Sequence, residues 1–235
     1  MIIRAKHIFR VNTALALLCS VFFIPTDALA GCSDNAGPGV DWNSCRKRNL
    51  ILNGTDFTGA KMNKTDLIGN DMREVKLDQS TMVKALLHRA DLSNSSLINA
   101  DLSKVEANRT TFMSSNLTGV NFAKAEMLRA DFTKATLTNT NFSKSEFSRS
   151  IFTNAILTNA NMSFANLSRS TFVGATVDGL NLQTSWIYLT RFEGVDMSKV
   201  KNLQQHQLEL ACGDANTKLP AGITMPPNWP CIDDD

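Results

Sequence analysis

The sequence has few of the residues that usually carry catalysis or bind metals. It contains three histidines in 235 residues, and only His88 and His206 follow the first thirty. No cysteine pair has the spacing of a zinc site, no glycine loop has that of a phosphate cradle, and no serine lies in a nucleophile elbow. We therefore expect no catalytic residue, no metal ligand and no cofactor, and we predict that the protein is not an enzyme.

The chain also lacks an excess of charge of either sign. It has 24 Lys and Arg and 22 Asp and Glu, giving a formal net charge of +2. Without residues 1–30 it would lose Arg4, Lys6, Arg10 and Asp27, which leaves 21 basic and 21 acidic residues. Such a chain is neither a basic nucleic-acid-binding protein nor an acidic mimic of DNA. Composition therefore predicts no nucleic-acid partner.

Long apolar runs are missing after the first thirty residues, so no membrane span is predicted. Residues 1–30 resemble a secretory signal peptide, because a basic start precedes a largely apolar stretch from Val11 to Ile24. Ala28-Leu29-Ala30 supplies the small residues of a cleavage site. We expect a periplasmic or secreted protein.

Four cysteines remain after this cleavage, one pair on each side of the central region: Cys32, Cys45, Cys212 and Cys231. An even count in an exported chain predicts disulfides, Cys32–Cys45 and Cys212–Cys231. The alternative is a lipobox at residues 29–32, in which Cys32 carries a lipid that anchors the protein to a membrane. Pro25 interrupts the apolar run just before this site, and lipidation would leave Cys45 without its near partner. Both observations favour ordinary secretion.

A five-residue period dominates the remainder of the chain. From Leu52 to Met197, thirty successive units place an apolar residue at every fifth position. Neither a helix nor a flat strand turns one face to a core every five residues. The residue two places earlier is usually Ala, Ser or Thr, and this alternation of volumes suits a narrow, close-packed interior.

The repeated motif is shown by Ala90-Asp91-Leu92, Ala130-Asp131-Phe132 and Ala165-Asn166-Leu167. It resembles the A(D/N)Lxx motif of the pentapeptide repeat family. The resemblance implies an all-β fold, a right-handed quadrilateral parallel β-helix (solenoid) with four pentapeptides per coil. Thirty units then make about 7.5 coils, or a rod about 35 Å long at a coil spacing of ~4.8 Å.

A twenty-residue similarity supports four units per coil. It forms a lysine column and an arginine column, which we call the two cation columns: Lys64, Lys84, Lys104, Lys124, Lys144 and Arg89, Arg109, Arg129, Arg149, Arg169. Acids recur beside them, as Glu106 does beside Lys104. We interpret the columns as a surface ladder of opposite charges. The alternative is a basic stripe that binds an anionic lipid or polymer.

The ends of a parallel β-helix expose unpaired strand edges and need covering. We expect residues 31–49 to form an irregular N-terminal cap, residues 50–200 to form the β-helix, and residues 201–235 to form a C-terminal cap and tail. Within the last segment, the spacing of leucines predicts a short helix over Leu203 to Ala211.

Apolar side chains interrupt the polar outward positions near the C-terminal end. Phe164, Trp186, Tyr188 and Leu189 form a candidate interaction patch, here called the aromatic patch. Alternatively, residues 203–232 cover these side chains, which then pack against the C-terminal cap and bind no partner. We favour this second interpretation. A further outward pair, Ile151 and Ile156, would mark the seam of a homodimer.

These observations predict a non-enzymatic, exported structural or protein-interaction module of the bacterial envelope, with a protein partner that the sequence does not identify. One alternative comes from the family, in which some members protect DNA gyrase-type topoisomerases by imitating DNA. The export signal and the balanced charge argue against that role here. A second alternative is an exported effector that acts in a host cell.

The mass of the protein purified from its own cells tests the export prediction. We expect the chain to start at Gly31 and to gain about four mass units on reduction, as two disulfides require. A start at Cys32 with attached acyl chains would instead establish a lipoprotein and contradict the pairing of Cys32 with Cys45.

Overall fold

The structure is a computed structural model that describes residues 31–231. The predicted signal peptide, residues 1–30, and the end of the predicted tail, residues 232–235, lie outside this part of the chain. Cys32, which would carry the lipid if the protein were a lipoprotein, lies within the described residues.

Each five-residue unit contributes one residue that pairs with the coils on both sides. Asp91, for example, forms parallel bridges with Asp71 and with Thr111, each twenty residues away. This series starts at Asp41–Lys61 and continues at every unit to Thr171–Arg191. The bridges are isolated, and the described residues contain no longer strand. The chain therefore returns beside itself every twenty residues, which makes four units per coil.

Unit 131–135 shows how the backbone N–H groups are satisfied. Asp131, Phe132 and Lys134 donate theirs to carbonyls of neighbouring coils at 2.7–3.0 Å. Ala135 donates to the carbonyl of Phe132 at 2.9 Å and so closes a β-turn. The N–H of Thr133 donates to Oδ1 of Asp131 at 2.9 Å. An Asp or Asn at the first position thus supplies the acceptor that the third residue needs.

The fourth residue of almost every unit has a positive φ, for example 60° at Lys134 and 71° at Gly119. Glycine and asparagine adopt this left-handed conformation at little cost, which explains their frequency at this position. All ten members of the two cation columns occupy the same position and are exposed. The corners of the coils therefore carry the basic side chains outward.

Phenylalanines fill the interior in stacks that follow the coil spacing. Five of them form one buried column with ring centroids 4.7–5.1 Å apart: Phe112, Phe132, Phe152, Phe172 and Phe192. Phe122 and Phe142 form a second stack at 5.3 Å. The two stacks meet edge to face, as Phe122 and Phe132 do at 79°. Aromatic pairs of both geometries stabilise the core beyond the area that they bury.

Most serine and threonine side chains at the small inward position are buried and hydrogen-bonded; among the described residues, the hydroxyl of Ser80 is the exception. The hydroxyl of Ser115 donates to the carbonyl of Leu92 in the preceding coil at 2.6 Å, and Thr140 does the same to Leu117 at 2.9 Å. Each hydroxyl thereby joins two successive coils. These residues can replace alanine without leaving an unpaired buried oxygen.

The N-terminal end is closed by Trp42 and a disulfide. Cys32 and Cys45 are bonded as predicted, with their Cα atoms 5.4 Å apart. Trp42 is buried, and its ring meets Phe57 edge to face at 5.4 Å. Lys47, at a position that is apolar in the later units, places Nζ 4.1 Å from the centroid of the Trp42 ring. The first coil therefore ends in a covered surface.

The C-terminal end is closed by helix α1, Gln205–Leu208, the only helix in residues 31–231. Leu208 is buried against the last coil. The Gln207 side chain is also buried, and its Nε2 donates to the carbonyl of Leu182 at 3.1 Å and to that of Ser185 at 2.8 Å. At Ser185 this side chain replaces the backbone N–H that a further coil would have supplied, as Trp186 supplies it to Ala165 in the preceding coil.

Helix α1 is shorter than the predicted span of 203–211 because the chain resumes the coil pairing directly after it. Cys212 bridges in parallel with Arg191, and Lys218 bridges with Asp196. The segment after the helix thus continues the stack, although its units are no longer of constant length.

Two carboxylates tie this final segment to the last coil. Hydrogen bonds from the Ser198 hydroxyl and the Lys218 ammonium group hold the pKa of Asp196 well below its ordinary value. A backbone N–H bond from Gly194 is the main cause of the lowered pKa of Asp214. Both groups therefore stay charged at neutral pH.

The second predicted disulfide, Cys212–Cys231, holds the tail, with Cα atoms 5.4 Å apart. Trp229 lies beneath it, is almost fully buried, and donates from Nε1 to the carbonyl of Ala211 at 2.7 Å. The ring lies so close to Gly213 that a Cβ there would meet it at 2.2 Å. This glycine is therefore required by the packing of the tryptophan.

Replacing a central stacked ring tests the packing of the interior. We expect Phe132→Ala to lower the free energy of unfolding by about 3–5 kcal/mol, since it leaves a cavity between two neighbouring coils. Chemical denaturation followed by circular dichroism measures the change. Phe164→Ala, at an exposed ring, is the control and should cost at most about 0.5 kcal/mol. Equal losses in the two variants would show that the Phe132 column stabilises the protein no more than an exposed ring does.

The C-terminal closure is tested by Gln207→Ala. This change leaves the carbonyl of Ser185 without its side-chain donor, whereas that of Leu182 keeps the Ser185 hydroxyl at 2.6 Å. We therefore expect a loss of about 1–3 kcal/mol in the free energy of unfolding. Gln183→Ala, at an exposed position of the last coil, is the matched control. An unchanged stability in Gln207→Ala would mean that water satisfies the edge equally well.

Candidate functional site

The aromatic patch is half exposed. Trp186 is 53% exposed, Phe164 51% and Tyr188 41%, whereas Leu189 is partly buried. The rings of Trp186 and Tyr188 lie 6.4 Å apart with an angle of 22° between their planes. Residues 203–231 therefore do not cover the patch, in contrast to the interpretation that they seat on it.

Trp186 and Tyr188 point outward because they occupy the first and third positions of one unit, on either side of the buried Ile187. Trp186 pairs through its backbone with Asn166 of the preceding coil. The N–H of Leu189 donates to the carbonyl of Leu210 at 2.6 Å. The regular backbone therefore fixes where both rings stand.

A shallow groove of about 130 Å³ lies between the Trp186 ring and helix α1. The residues that line it come from the last coil and from the helix: Thr184, Ser185, Trp186, Ile187, His206, Gln207 and Leu210. The sequence did not indicate that helix α1 contributes to this surface. Its only signal was the alternation of leucines and glutamines after residue 202, which placed a helix there but not its orientation.

The structure does not gather all predicted apolar residues into one patch. Phe164 stands at the corner that precedes the side carrying Trp186, and its ring is 6.0 Å from Nζ of Lys144. Ile151 and Ile156 are 38% and 42% exposed. They belong to successive units, so they lie on adjacent sides of the coil. A homodimer seam through both isoleucines would have to enclose the corner between them.

The predicted ladder of ion pairs does not form. Among the described residues, no member of the two cation columns has its charged group within 4.0 Å of a carboxylate. Three of the acids beside them have other partners. Asp66 binds Arg48, Nε2 of His88 lies 3.4 Å from Glu106, and Glu146 accepts a hydrogen bond from a neighbouring asparagine at 2.8 Å.

Within residues 31–231, no three His, Cys, Asp or Glu side chains are grouped so that they could hold a metal ion. Nδ1 of His88 accepts the N–H of Asn108 at 3.2 Å, which gives this histidine a structural role. The described part of the chain contains no helix with the length and hydropathy required to cross a membrane.

Two family profiles match the repeats. One, described as a pentapeptide repeat region, matches residues 85–150. The other, described as pentapeptide repeats in eight copies, matches residues 51–89 and 146–183. The two together span residues 51–183, which is more than half of the chain. A comparison with curated proteins gave no significant match.

Several solved structures are similar to this chain. HetL, a pentapeptide repeat protein involved in heterocyst differentiation regulation in the cyanobacterium Nostoc sp. strain PCC 7120, is 18% identical; the match covers 80% of this chain and 85% of HetL, with a TM-score of 0.42. Trypsin-treated QnrB1, a plasmid-mediated fluoroquinolone resistance protein, is 19% identical over 75% of this chain and 90% of its own, with a TM-score of 0.42.

A pentapeptide repeat protein from the thylakoid lumen of Arabidopsis thaliana is 19% identical over 75% of this chain and 83% of its own, with a TM-score of 0.20. These identities and scores are too low to carry any property of the three proteins over to this one. The five-residue motif, the bridges every twenty residues and the two matching profiles agree, and the chain belongs to the pentapeptide repeat family.

Proposed function

We propose that the repeats form a right-handed, four-sided β-helix that serves as an exported, non-enzymatic protein-interaction module of the bacterial envelope. The bridges at every twentieth residue support the four-sided rod, because four turns per coil bring each unit beside its counterpart. The aromatic patch is the surface on which we place the partner. This proposal rests above all on the exposure of Trp186 and Tyr188.

The disulfides support the exported location. Cysteine pairs persist as disulfides in oxidising compartments such as the periplasm or the extracellular space, and are rare in the cytosol. Both pairs join segments at the ends of the rod, Cys32 to Cys45 and Cys212 to Cys231. A bonded Cys32 has no thiol for a lipid, which favours a soluble exported protein over a lipoprotein.

The aromatic patch has the chemistry of a protein interface. Trp and Tyr are enriched in the residues that dominate binding, since each combines a large apolar area with a polar tip. Half of each ring is accessible here, and the groove beside Trp186 offers a depression for a partner side chain. Because the backbone is already held in register, it loses little conformational entropy when a partner binds.

The two other candidate functions lack a supporting observation. A DNA mimic needs a surface dominated by carboxylates, whereas the ten cations of the two columns are exposed on this rod. An effector that acts in a host cell would need a feature specific to a host target, and no residue of the described chain distinguishes one. We therefore place the partner in the envelope.

Site-specific photo-crosslinking in the cells that make the protein tests the proposal. With a photoreactive amino acid at Tyr188, we expect one crosslinked envelope protein, because the groove beside Trp186 would hold part of it. Adding Trp186→Ser should abolish the crosslink and leave the melting temperature within a few degrees of the original, as for other exposed substitutions.

The same photoreactive group at Ile156 is the matched control and should give no such product. A product of twice the chain mass from Ile156 would instead support the homodimer seam. Identical products from both positions, or none from Tyr188, would contradict a partner site at the patch. Loss of folding in the Trp186 variant would assign the ring to the packing of the cap.

A further inference from the structure

The balanced charge of the chain hides a strong separation of charge around the rod. One side of the rod is formed by the row of bridging residues that runs from Arg46 to Trp186 at intervals of twenty, together with the two corners next to this row. We call it the basic face. It carries 12 of the 21 Lys and Arg in residues 31–231, but only 4 of the 18 Asp and Glu. Its formal charge is +8, while the remainder of residues 31–231 has −5.

The two cation columns form the edges of this face. Four of the five lysines are followed by a bridging residue and then by an arginine, as Lys124, Glu126 and Arg129 show within one unit and its neighbour. All ten cations are exposed and none forms an ion pair in the described chain. Their charges are therefore available to a ligand.

The backbone holds the cations in straight lines. At the arginine corner, the N–H of Arg109 donates to the carbonyl of Leu128 at 2.9 Å, and the N–H of Arg129 donates to that of Ser148 at 3.0 Å. Successive arginines are thus one coil apart, ~4.8 Å. Like charges at this spacing repel one another, and a ligand with a matching line of negative charges relieves the repulsion.

We propose that the basic face binds a linear acidic polysaccharide that lies along the cation columns. A polysaccharide with one carboxylate per sugar ring repeats its charge over a distance similar to the coil spacing. The guanidinium groups present paired donors that fit a carboxylate. The proposal adds a second binding surface to the module, on the same side of the rod as the aromatic patch but over the coils that precede it, and makes the rod a link between an envelope protein and an envelope polymer.

Two other polyanions fit this face less well. A flat anionic membrane would press its headgroups against the central row of Glu106, Glu126 and Glu146, whereas a chain along either edge avoids these carboxylates. A single-stranded nucleic acid needs aromatic side chains on which its bases stack. From residue 64 to residue 163 every phenylalanine is buried and there is no Trp or Tyr, so this part of the basic face exposes none of these side chains.

The test uses the purified protein and fluorescently labelled polygalacturonate, with binding followed by anisotropy at low salt. We expect binding by the original protein and a loss of at least about tenfold in affinity for Arg109→Gln, Arg129→Gln and Arg149→Gln combined, with a shallower salt dependence. Glutamine suits these corners, because Gln79 already occupies the same position with a φ of 60°.

The matched control removes three cations from the other sides: Lys61→Gln, Lys76→Gln and Lys134→Gln. It should change the affinity by less than about twofold, although the net charge of the two triple variants is the same. Equal weakening in both variants, or no binding by the original protein, would overturn the proposal.

Vesicles with phosphatidylglycerol and a single-stranded DNA oligomer are the competing probes. Tighter binding of either than of polygalacturonate would also overturn the proposal and assign the face to that ligand instead. The result is independent of the aromatic patch: Trp186→Ser should leave polygalacturonate binding unchanged, and the arginine variant should keep the crosslink at position 188.

Discussion

The structure depends on one requirement: every backbone N–H must find an acceptor within a coil that is only four short units long. Neighbouring coils accept three N–H groups of unit 131–135, and its own turn accepts a fourth. The N–H of Thr133 has only the Asp131 side chain. Elsewhere an asparagine of the preceding coil serves, as Asn63 does for Val83 at 2.9 Å. Backbone hydrogen bonding therefore determines the motif as much as the packing of the core does.

This solution divides the chain between two tasks. Two residues of each unit face inward and are constrained by volume, as the stacked phenylalanines and the hydroxyl donors Ser115 and Thr140 show. The outward residues have no such constraint beyond the turn and the bridge, so charge and aromatic groups can vary along a fixed frame. A surface for binding is then obtained from side-chain identity alone, while the backbone remains the same.

The periodic part of the protein was predictable because each unit packs against units with the same sequence pattern. The apolar position and the twenty-residue similarity located the buried residues, and the cysteine count gave both disulfides. The aperiodic parts were not. Whether Trp186 is covered depends on the path of residues 203–231, which no repeat dictates. The sequence showed both cation columns and allowed a basic stripe, but sequence neighbours such as Lys104 and Glu106 favoured ion pairs, which the structure does not form.

The register of twenty residues also governs which changes of length the protein can absorb. Loss of five residues would leave every large side chain inside, but it would turn all later units by one side and break both lines of cations. Loss or duplication of twenty would preserve the interior and the surface together. Growth by whole coils is thus the route by which such a gene can lengthen its product and keep a binding surface continuous, and the recurrence of Lys and Arg at that interval is the mark that this route would leave.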